Sequence, residues 1–342
     1  MLYSRLGNTG LLVSKLALGA MTFGSAEGPM AAVSKVGQKG ADEMVGKALD
    51  AGVNFFNTAD AYTGGQSEQM LAAALGARRK DVVIATKVGF RTGDALIHTG
   101  LSRQHVIASA EESLMRLKTD YVDVYLVHRV DKYTPVEETL GALNDLVRAG
   151  KVRYAGFSNW PAWLAAKAVG AQKMNGWAEF QAAEMYYSLV GRDIEHEIVP
   201  LALDAGIGIM VWSPLAGGFL SGKYSRENPQ GDGGRLTGFD ILPFDRDRGY
   251  ALIDVLKEIA SNHKASPSQV AIAWLLNRPA VASVLVGANK LGQLEDNLAA
   301  ASLTLSPDES SKLDELTKPA PIYPNWFNTS IFDQQAKKAL EG

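Results

Sequence analysis

The chain has 342 residues, of which 46% are hydrophobic, and a formal net charge of −3 at pH 7. This length and composition are typical of a globular protein with one large domain or two smaller ones. The 34 basic residues nearly balance the 37 acidic ones, which argues against a nucleic-acid or membrane-surface partner, because both need a net basic face. The sequence contains no cysteine, which excludes disulfides, thiol nucleophiles and thiolate metal sites.

The N-terminal stretch MLYSRLGNTGLLVSKLALG is interrupted by charged and turn residues, so it does not read as a signal peptide. No apolar run approaches the roughly 18 residues that a membrane span requires. We therefore expect a soluble cytoplasmic protein.

Two short apolar segments, residues 2–6 and 11–13, flank the turn GNTG and predict a small N-terminal β-hairpin. After the hairpin one pattern recurs: a short apolar strand ends in a polar residue or glycine, and a loop and an amphipathic helix follow. The predicted strands are residues 16–19, 53–57, 82–87, 122–128, 153–158, 178–181, 207–212 and 281–287.

The helix after the fourth of these strands shows the pattern clearly. Val136, Leu140, Leu143 and Val147 form one buried stripe, and Gly150 suits the left-handed position that ends a helix. A Rossmann unit would need G-x-G-x-x-G after a strand, and the sequence has none. Eight strand–helix units without a composition break predict one α/β domain over residues 1–342, a (β/α)8 TIM barrel.

Two segments exceed ordinary loop length, and a third has no obvious place in the barrel. Residues 25–40 and 222–248 would lie on the C-terminal side of barrel strands, where long loops commonly cover ligands. The C-terminal stretch PAPIYPNWFNTSIFD, residues 319–333, is rich in proline and aromatic residues. It either forms a substrate-covering loop or docks on the barrel exterior, and its pattern favours neither.

Polar or small residues stand where the predicted strands end, and in a barrel these positions converge on one mouth. They are Asn57, Tyr62, Lys87, His128, Ser158, Asn159, Gln181, Trp212, Ser213 and Gly287. Lys87 and His128 each end an apolar strand, where a charge is costly unless it is paired or used.

Tyrosine, lysine and histidine at one mouth favour proton transfer coupled to hydride transfer. A phenol has a pKa near 10 and is a weak acid at neutral pH. An ammonium about 4 Å away is worth ~4 kcal/mol at an effective dielectric of 20, or up to roughly three pK units. Lys87 would therefore bring Tyr62 into the range where it exchanges a proton with a carbonyl oxygen or an alcohol. Neutral His128 would orient that oxygen, and a nicotinamide would supply the hydride.

Seven segments carry a resemblance to a known family. They are GVNFFNTADAY, VVIATK, DVYLVHRVD, GKVRYAGFSNW, FQAAEMYYSL, MVWSPLAGGFLSGKY and VGANKLGQLEDNL. Over nearly its whole length the chain resembles the aldo-keto reductases, and it is most similar to longer-chain bacterial members and potassium-channel β subunits. The resemblance implies an NADP(H)-dependent oxidoreductase that interconverts aldehydes or ketones and alcohols.

The resemblance also implies a catalytic group of Asp, Tyr, Lys and His. Tyr62, Lys87 and His128 match it, but Asn57 stands at the aspartate position. An amide keeps the hydrogen bond to Lys87 and loses the negative charge. We therefore expect a lowered Lys87 pKa, weaker acidification of Tyr62 and depressed activity, unless Asp60 on the following loop compensates.

The family further implies how the cofactor is held, and the aromatic residues of the sequence offer candidates for the substrate pocket. Ser158, Asn159 and Gln181 would hold the nicotinamide carboxamide, and Trp212 would stack against the ring. The remaining cofactor positions are Met21 and Thr22 near the ribose; Ser213, Pro214, Leu215, Gly217 and Lys223 in a loop suited to pyrophosphate; Gly287 at a strand end; Gln293 and Asn297 at the adenine; and Lys290, Lys223 or Arg235 at the 2′-phosphate. Phe23, Phe90, Trp160 and Trp326 would wall the substrate pocket, with a core or surface role as the alternative for each.

Other classes of function remain open. A nucleotide-binding sensor subunit without meaningful turnover would share the cofactor residues, and Asn57 favours it. A barrel isomerase or phosphate-binding lyase would need a carboxylate base at the mouth, where only Asp60 is a candidate. GGFLSGKY resembles a nucleoside-triphosphatase loop, but Tyr224 replaces the hydroxyl residue that would hold Mg²⁺.

Overall fold

The computed structural model describes residues 1–231, 234–331 and 333–341. Asp232 and Gly233 of the predicted long loop, Phe332 of the predicted tail and the final Gly342 lie outside the described residues. Among the described residues, no helix combines the length and the apolarity needed to cross a bilayer.

The predicted hairpin is present and lies at one end of the barrel. Strand β1 (Tyr3–Arg5) pairs antiparallel with β2 (Leu12–Ser14). Leu6 and Val13 are fully buried in a cluster with the barrel-interior side chains Ala17 and Phe55. Gly7 has φ +58°, and a Cβ there would stand 2.4 Å from the Gln181 carbonyl oxygen. Only glycine therefore lets the hairpin approach the strands this closely.

Eight parallel strands form a closed barrel, as predicted. They are β3 (Leu16–Gly19), β4 (Phe55–Asn57), β5 (Val83–Val88), β6 (Val122–Val127), β7 (Val152–Ser158), β8 (Phe180–Tyr186), β9 (Gly208–Trp212) and β10 (Val281–Val286), and β10 closes the ring against β3. The prediction for the sixth barrel strand was misplaced, because β8 runs to Tyr186 rather than stopping at Gln181. Its polar residue Glu184 is buried in the strand instead of ending it.

Helices surround the barrel on its outside. They are α1 (Gln38–Asp50), α2 (Gln66–Leu75), α3 (Arg103–Leu117), α4 (Val136–Arg148), α5 (Ala162–Asn175), α6 (Ile198–Ala205), α7 (Arg246–His263), α8 (Pro267–Leu276), α9 (Leu291–Ala299), α10 (Pro307–Thr317), α11 (Asn325–Ser330) and α12 (Gln334–Glu341). The larger hydrophobic core lies between this layer and the strands, and the smaller one lies inside the barrel.

The C-terminal segment is anchored beside α6. Asn325 of α11 donates a hydrogen bond to the His196 carbonyl oxygen at 3.0 Å. The rings of Tyr323, Trp326 and Phe327 in this segment contact one another and are exposed to solvent on part of their surface. This contact ties the segment to the chain just after β8, on the side where the strand ends form the mouth.

Candidate active site

Lys87 lies at the centre of the mouth and is fully buried at the end of β5. Its Nζ donates to Asn57 Oδ1 at 2.7 Å, to the Thr58 carbonyl oxygen at 2.9 Å and to the Tyr62 hydroxyl at 3.2 Å. The parallel register places β4 beside β5, which brings the loop after β4 over this amine. Three of the polar contacts of the ammonium are thus with residues 57–62.

The negative charge beside this amine comes from Glu184 of β8. Its Oε1 lies 3.2 Å from Lys87 Nζ, and both side chains are buried. Asn57 Nδ2 donates to Glu184 Oε2 at 2.7 Å. The carboxylate that position 57 lacks is therefore supplied from a strand on the other side of the barrel.

The expected fall in the pKa of Lys87 is wrong. Burial acts to lower the pKa, but the Glu184 carboxylate and Tyr62 outweigh it, and the pKa of Lys87 is raised. Asp60 does not take the compensating role. Its carboxyl is buried, and Glu68 and Arg116 influence its pKa more than Lys87 does.

Tyr62 differs from the expectation in its acidity. Lys87 lies over its ring, 4.9 Å from the centroid, and lowers its pKa. Burial of the phenol raises the pKa by more, so the pKa of Tyr62 lies above its ordinary value. The hydroxyl therefore carries its proton at neutral pH, which is the state that a proton donor needs.

His128 follows β6 and packs edge-on against two mouth rings. Its ring centroid is 5.7 Å from that of Tyr62 and 4.6 Å from that of Phe90. Burial, Lys87 and Arg129 hold the pKa of His128 well below its usual value. A neutral imidazole keeps one donor and one acceptor for an oxygen placed beside Tyr62.

A polar chain links the ends of β7 and β9 beside Glu184. Ser158 Oγ donates to the Glu184 carbonyl oxygen at 2.8 Å. Asn159 Nδ2 donates to Ser158 Oγ at 2.9 Å and to the His128 carbonyl oxygen at 3.0 Å, and Asn159 Oδ1 accepts from Trp212 Nε1 at 3.0 Å. The structure thus brings together three of the four residues expected around a nicotinamide.

Gln181, the fourth, is at the wrong end of the barrel. It lies near the start of β8, beside the hairpin, in an open depression of about 330 Å³ that Asn8, Arg153 and Glu179 also line. Ser158 pairs in register with Glu184, three residues further along, or about 10 Å at a strand rise of roughly 3.3 Å. The seven-residue length of β8 is the reason, since it moves the mouth position from 181 to 184.

The loop after β9 forms a tight turn of left-handed residues. Ser213 has φ +53° and its Oγ accepts from the Gly217 amide at 3.0 Å. Gly217 and Gly218 have φ +69° and +93°, and a Cβ on Gly217 would lie 2.7 Å from the Leu236 side chain. Pro214 and Leu215 lie inside this turn, and Lys223 is exposed just after it.

Arg235 lies beside the end of β3. Its Nη2 is 3.9 Å from Met21 Sδ, and burial lowers its pKa. No carboxylate pairs with it among residues 1–231, 234–331 and 333–341. The neighbouring Thr22 hydroxyl is buried with no hydrogen-bond partner in the same described ranges. A positive charge and a hydroxyl are therefore both available to a ligand here.

The residues expected at the adenine end occupy α9 and the turn before it. Gly287 is exposed after β10, and Lys290 is exposed at the N-terminal cap of α9. Gln293 Oε1 accepts from the Asn289 amide at 3.2 Å, and Asn297 is buried on the same helix. None of these four contacts Lys223 or Arg235 through a hydrogen bond among the described residues.

Only one of the four expected substrate residues touches the mouth. Phe90 packs on His128, and the Arg129 guanidinium lies over the Phe90 ring, 4.7 Å from the centroid of that ring. Phe23 is fully buried in the outer core, and Trp160 is buried between Phe157 and Phe180. These two are core residues, because both side chains are buried in the larger hydrophobic cluster. Trp326 is on α11, in the exposed aromatic group described above.

The chain thus forms a closed (β/α)8 barrel with a buried lysine, a tyrosine and a histidine at its mouth, the arrangement expected above for an aldo-keto reductase. The model of the Aldo/keto reductase family matches residues 15–318, and the chain belongs to that family.

Several curated proteins are similar over almost their full length. The chain is 34% identical to the versiconal hemiacetal acetate reductase of Aspergillus parasiticus, over 94% of this chain and 98% of that protein. It is 36% identical to a protein of Oryza sativa subsp. japonica named "Probable voltage-gated potassium channel subunit beta", with the same two coverages. It is 31% identical to an aldo-keto reductase of Fusarium vanettenii, over 94% and 92%.

Proposed function

We propose that this protein is an NADP(H)-dependent oxidoreductase that interconverts aldehydes or ketones and alcohols. The observation that carries the proposal is the 3.2 Å contact between Lys87 Nζ and the Tyr62 hydroxyl at the barrel mouth. The reductase names of two similar proteins support the same reaction class.

The residues at the mouth fit a nicotinamide cofactor. Ser158 and Asn159 offer both donors and acceptors to an amide, and the partly exposed Trp212 offers a flat aromatic face beside Asn159. The unpaired Thr22 hydroxyl and the Arg235 cation suit the sugar and phosphate groups of a dinucleotide. When bound, the cofactor supplies or accepts a hydride.

The chain's own groups handle the proton. Tyr62 donates its proton to a carbonyl oxygen, and the phenolate that forms lies 3.2 Å from the Lys87 ammonium. Because this attraction is stronger for the phenolate than for the phenol, it stabilises the transition state more than the ground state. Neutral His128 donates a hydrogen bond to the same oxygen and orients it. In the alcohol-oxidising direction, Tyr62 takes the proton back.

The depressed activity expected from Asn57 is revised in this proposal. Since Glu184 supplies a carboxylate 3.2 Å from Lys87, the amine keeps its charge and turnover need not suffer. Cationic Arg235, Lys223 and Lys290 favour NADP(H) over NAD(H), because a 2′-phosphate adds negative charge.

The test is a comparison of binding and turnover. NADPH and NADH are titrated by fluorescence, and their oxidation is followed with panels of aromatic and aliphatic aldehydes and ketones. We expect tighter binding of NADPH and substrate-dependent oxidation. Tight binding with no oxidation by any carbonyl would instead support a sensor subunit, the alternative that the similarity to a channel β subunit favours.

A further inference from the structure

We infer that Asn57 and Glu184 are a matched pair, in which Glu184 is the positioning residue that keeps Lys87 charged and Asn57 is the amide that joins the two. An amide and a carboxylate can then exchange places between positions 57 and 184 only if both change together. The catalytic consequence rests on the proposed function, but the pairing itself does not.

Glu184 supplies the negative charge that faces the Lys87 amine. Glu184 of β8 and Tyr62 of the loop after β4 touch the amine, and neutral His128 of β6 lies beyond Tyr62. Asp60 makes no hydrogen bond or ion pair with this amine through its carboxyl among the described residues, and Arg235 is cationic. Glu184 is therefore the one carboxylate in contact with this fully buried ammonium among the described residues. A buried ion of this kind needs its counter-ion.

The Asn57 side chain makes a different hydrogen bond with each end of its amide. Its Oδ1 accepts from Lys87 Nζ at 2.7 Å, and its Nδ2 donates to Glu184 Oε2 at 2.7 Å. Only a group with both a donor and an acceptor can serve a cation and an anion from the same position. The amide thus closes a ring of three side chains and fixes the angle at which Lys87 meets Tyr62.

Each single substitution in this pair should disturb the charges around Lys87 in a different way. Asn57→Asp places two carboxylates in hydrogen-bond contact, so one of them must take a proton or repel the other. Glu184→Gln leaves the buried ammonium with no carboxylate in contact. Neither change is conservative, although each alters only the identity of an oxygen or nitrogen atom.

The double change Asn57→Asp with Glu184→Gln differs from both. It again provides one carboxylate and one amide, but the carboxylate is now at position 57 and the amide at position 184. One aspartate oxygen accepts from Lys87, and the glutamine amide donates to the other aspartate oxygen. The net charge of the group is unchanged. The pair therefore predicts that the second substitution repairs the damage of the first.

The pairing also ties proton transfer to the expected cofactor cradle. The main-chain oxygen of Glu184 accepts from Ser158 Oγ at 2.8 Å and from the Asn159 amide at 3.3 Å. Glu184, which keeps Lys87 charged, therefore also anchors the series of hydrogen bonds that positions Asn159 and Trp212.

The experiment compares the wild type, the two single variants and the double variant. The first readout is the denaturant midpoint of the cofactor-free protein at pH 5.5 and pH 8.5. We expect both single variants to have lower midpoints than the wild type at pH 8.5, and the loss in Asn57→Asp to shrink at pH 5.5, where one carboxyl can be protonated. The double variant should recover most of the midpoint at both pH values.

The second readout is the pH profile of kcat/KM with NADPH and 4-nitrobenzaldehyde. Each single variant should lose on the order of 100-fold near pH 7, within the range for a misplaced proton donor, and shift its profile. The double variant should return to within about tenfold, with a profile close to that of the wild type. Glu179→Gln, a carboxylate-to-amide change at the residue just before the start of β8, away from the mouth, is the control and should leave both readouts unchanged.

Two results would overturn the pairing. One is the absence of rescue: the fold-loss in the double variant equals the product of the fold-losses in the two single variants, or the double variant fails to fold while Asn57→Asp folds. The other is a Glu184→Gln variant with unaltered midpoints and pH profile. If no variant turns over any carbonyl but the midpoints still show the rescue, the proposed function fails and the pairing stands.

Discussion

The amine of Lys87 lies 3.2 Å from the hydroxyl oxygen of Tyr62 and 4.9 Å from the centre of its ring. The amine is held on its other sides by Asn57, the Thr58 carbonyl and Glu184, so it cannot turn away from the phenol without breaking buried contacts. This fixed distance lets a tyrosine that is protonated at neutral pH become a phenolate during the reaction.

Replacing Tyr62 by Phe should remove the proton donor and leave the barrel intact. We expect kcat for aldehyde reduction to fall by about 10²–10⁴-fold, with the NADPH dissociation constant changed by less than about threefold, since the ring remains. Steady-state kinetics and fluorescence titration measure the two quantities. Tyr125→Phe removes a buried hydroxyl that donates to the Val106 carbonyl, and as the control it should keep full activity. Retained activity in Tyr62→Phe would eliminate the assigned role.

His128 should stay neutral through the physiological range, because burial, Lys87 and Arg129 hold its pKa well below the usual value of about 6.5. The unfolded chain takes up this proton below about pH 6.5 and the folded chain does not. The free energy of unfolding should therefore fall as the pH drops below that value, with a smaller fall in His128→Gln. Histidine NMR resonances provide the direct check. A signal that disappears in His128→Gln and titrates near pH 6.5 in the wild type would contradict the prediction.

Asp60 should make the fold less stable as the pH rises. Burial, and secondly Glu68, raise the pKa of Asp60 to about 8, against 3.8 for the ordinary group. Between these values the unfolded chain has lost the proton and the folded chain keeps it. The contribution of protonated Asp60 to the free energy of unfolding is therefore fully present below about pH 4 and decreases as the pH rises to about 8.

Asp60→Asn removes this dependence. We expect the variant to be more stable than the wild type at pH 8 by on the order of 2 kcal/mol, given about 1.4 kcal/mol per unit of pKa shift as an upper limit, and equal to it at pH 4. Urea unfolding at pH 4, 6 and 8 measures the difference, with the exposed Asp120→Asn as the matched control. A constant difference across the three pH values would mean that Asp60 does not titrate as described.

The affinity for the cofactor should depend on Asn159 and not on Gln181. Asn159→Ala removes contacts to Ser158, Trp212 and the His128 carbonyl, and we expect NADPH affinity to fall about tenfold, the value of one good hydrogen bond. Gln181→Ala changes a residue beside the hairpin and should leave the affinity unchanged. Fluorescence titration compares the two variants, and a loss in Gln181→Ala as large as that in Asn159→Ala would place the cofactor elsewhere.

The spacing of apolar residues along the sequence was sufficient to predict most of the fold. The apolar strands, the stripe Val136, Leu140, Leu143 and Val147, and the GNTG turn are local patterns, and they predicted the barrel and the hairpin that the structure shows. Lys87 and His128 were visible as strand-end residues for the same reason: a polar residue directly after an apolar run marks where a buried strand ends.

The aromatic residues were harder to assign. Phe23 and Trp160 look the same in the sequence as Phe90, but the first two are packed in the outer core and only Phe90 faces the mouth. Which side of a strand end the helix layer covers depends on packing between elements distant in the chain, and no local pattern records it.

The sequence by itself determined the barrel, its mouth and a tyrosine, a lysine and a histidine placed there, because each of these follows from residues close together in the chain. Only the tertiary structure decided where the negative charge stands. Asn57 and Glu184 are 127 residues apart, and they meet because β8 is long enough and registered so that residue 184, rather than 181, reaches the mouth. Strand length and register are set by pairing with neighbouring strands, and a difference of three residues moves a side chain about 10 Å.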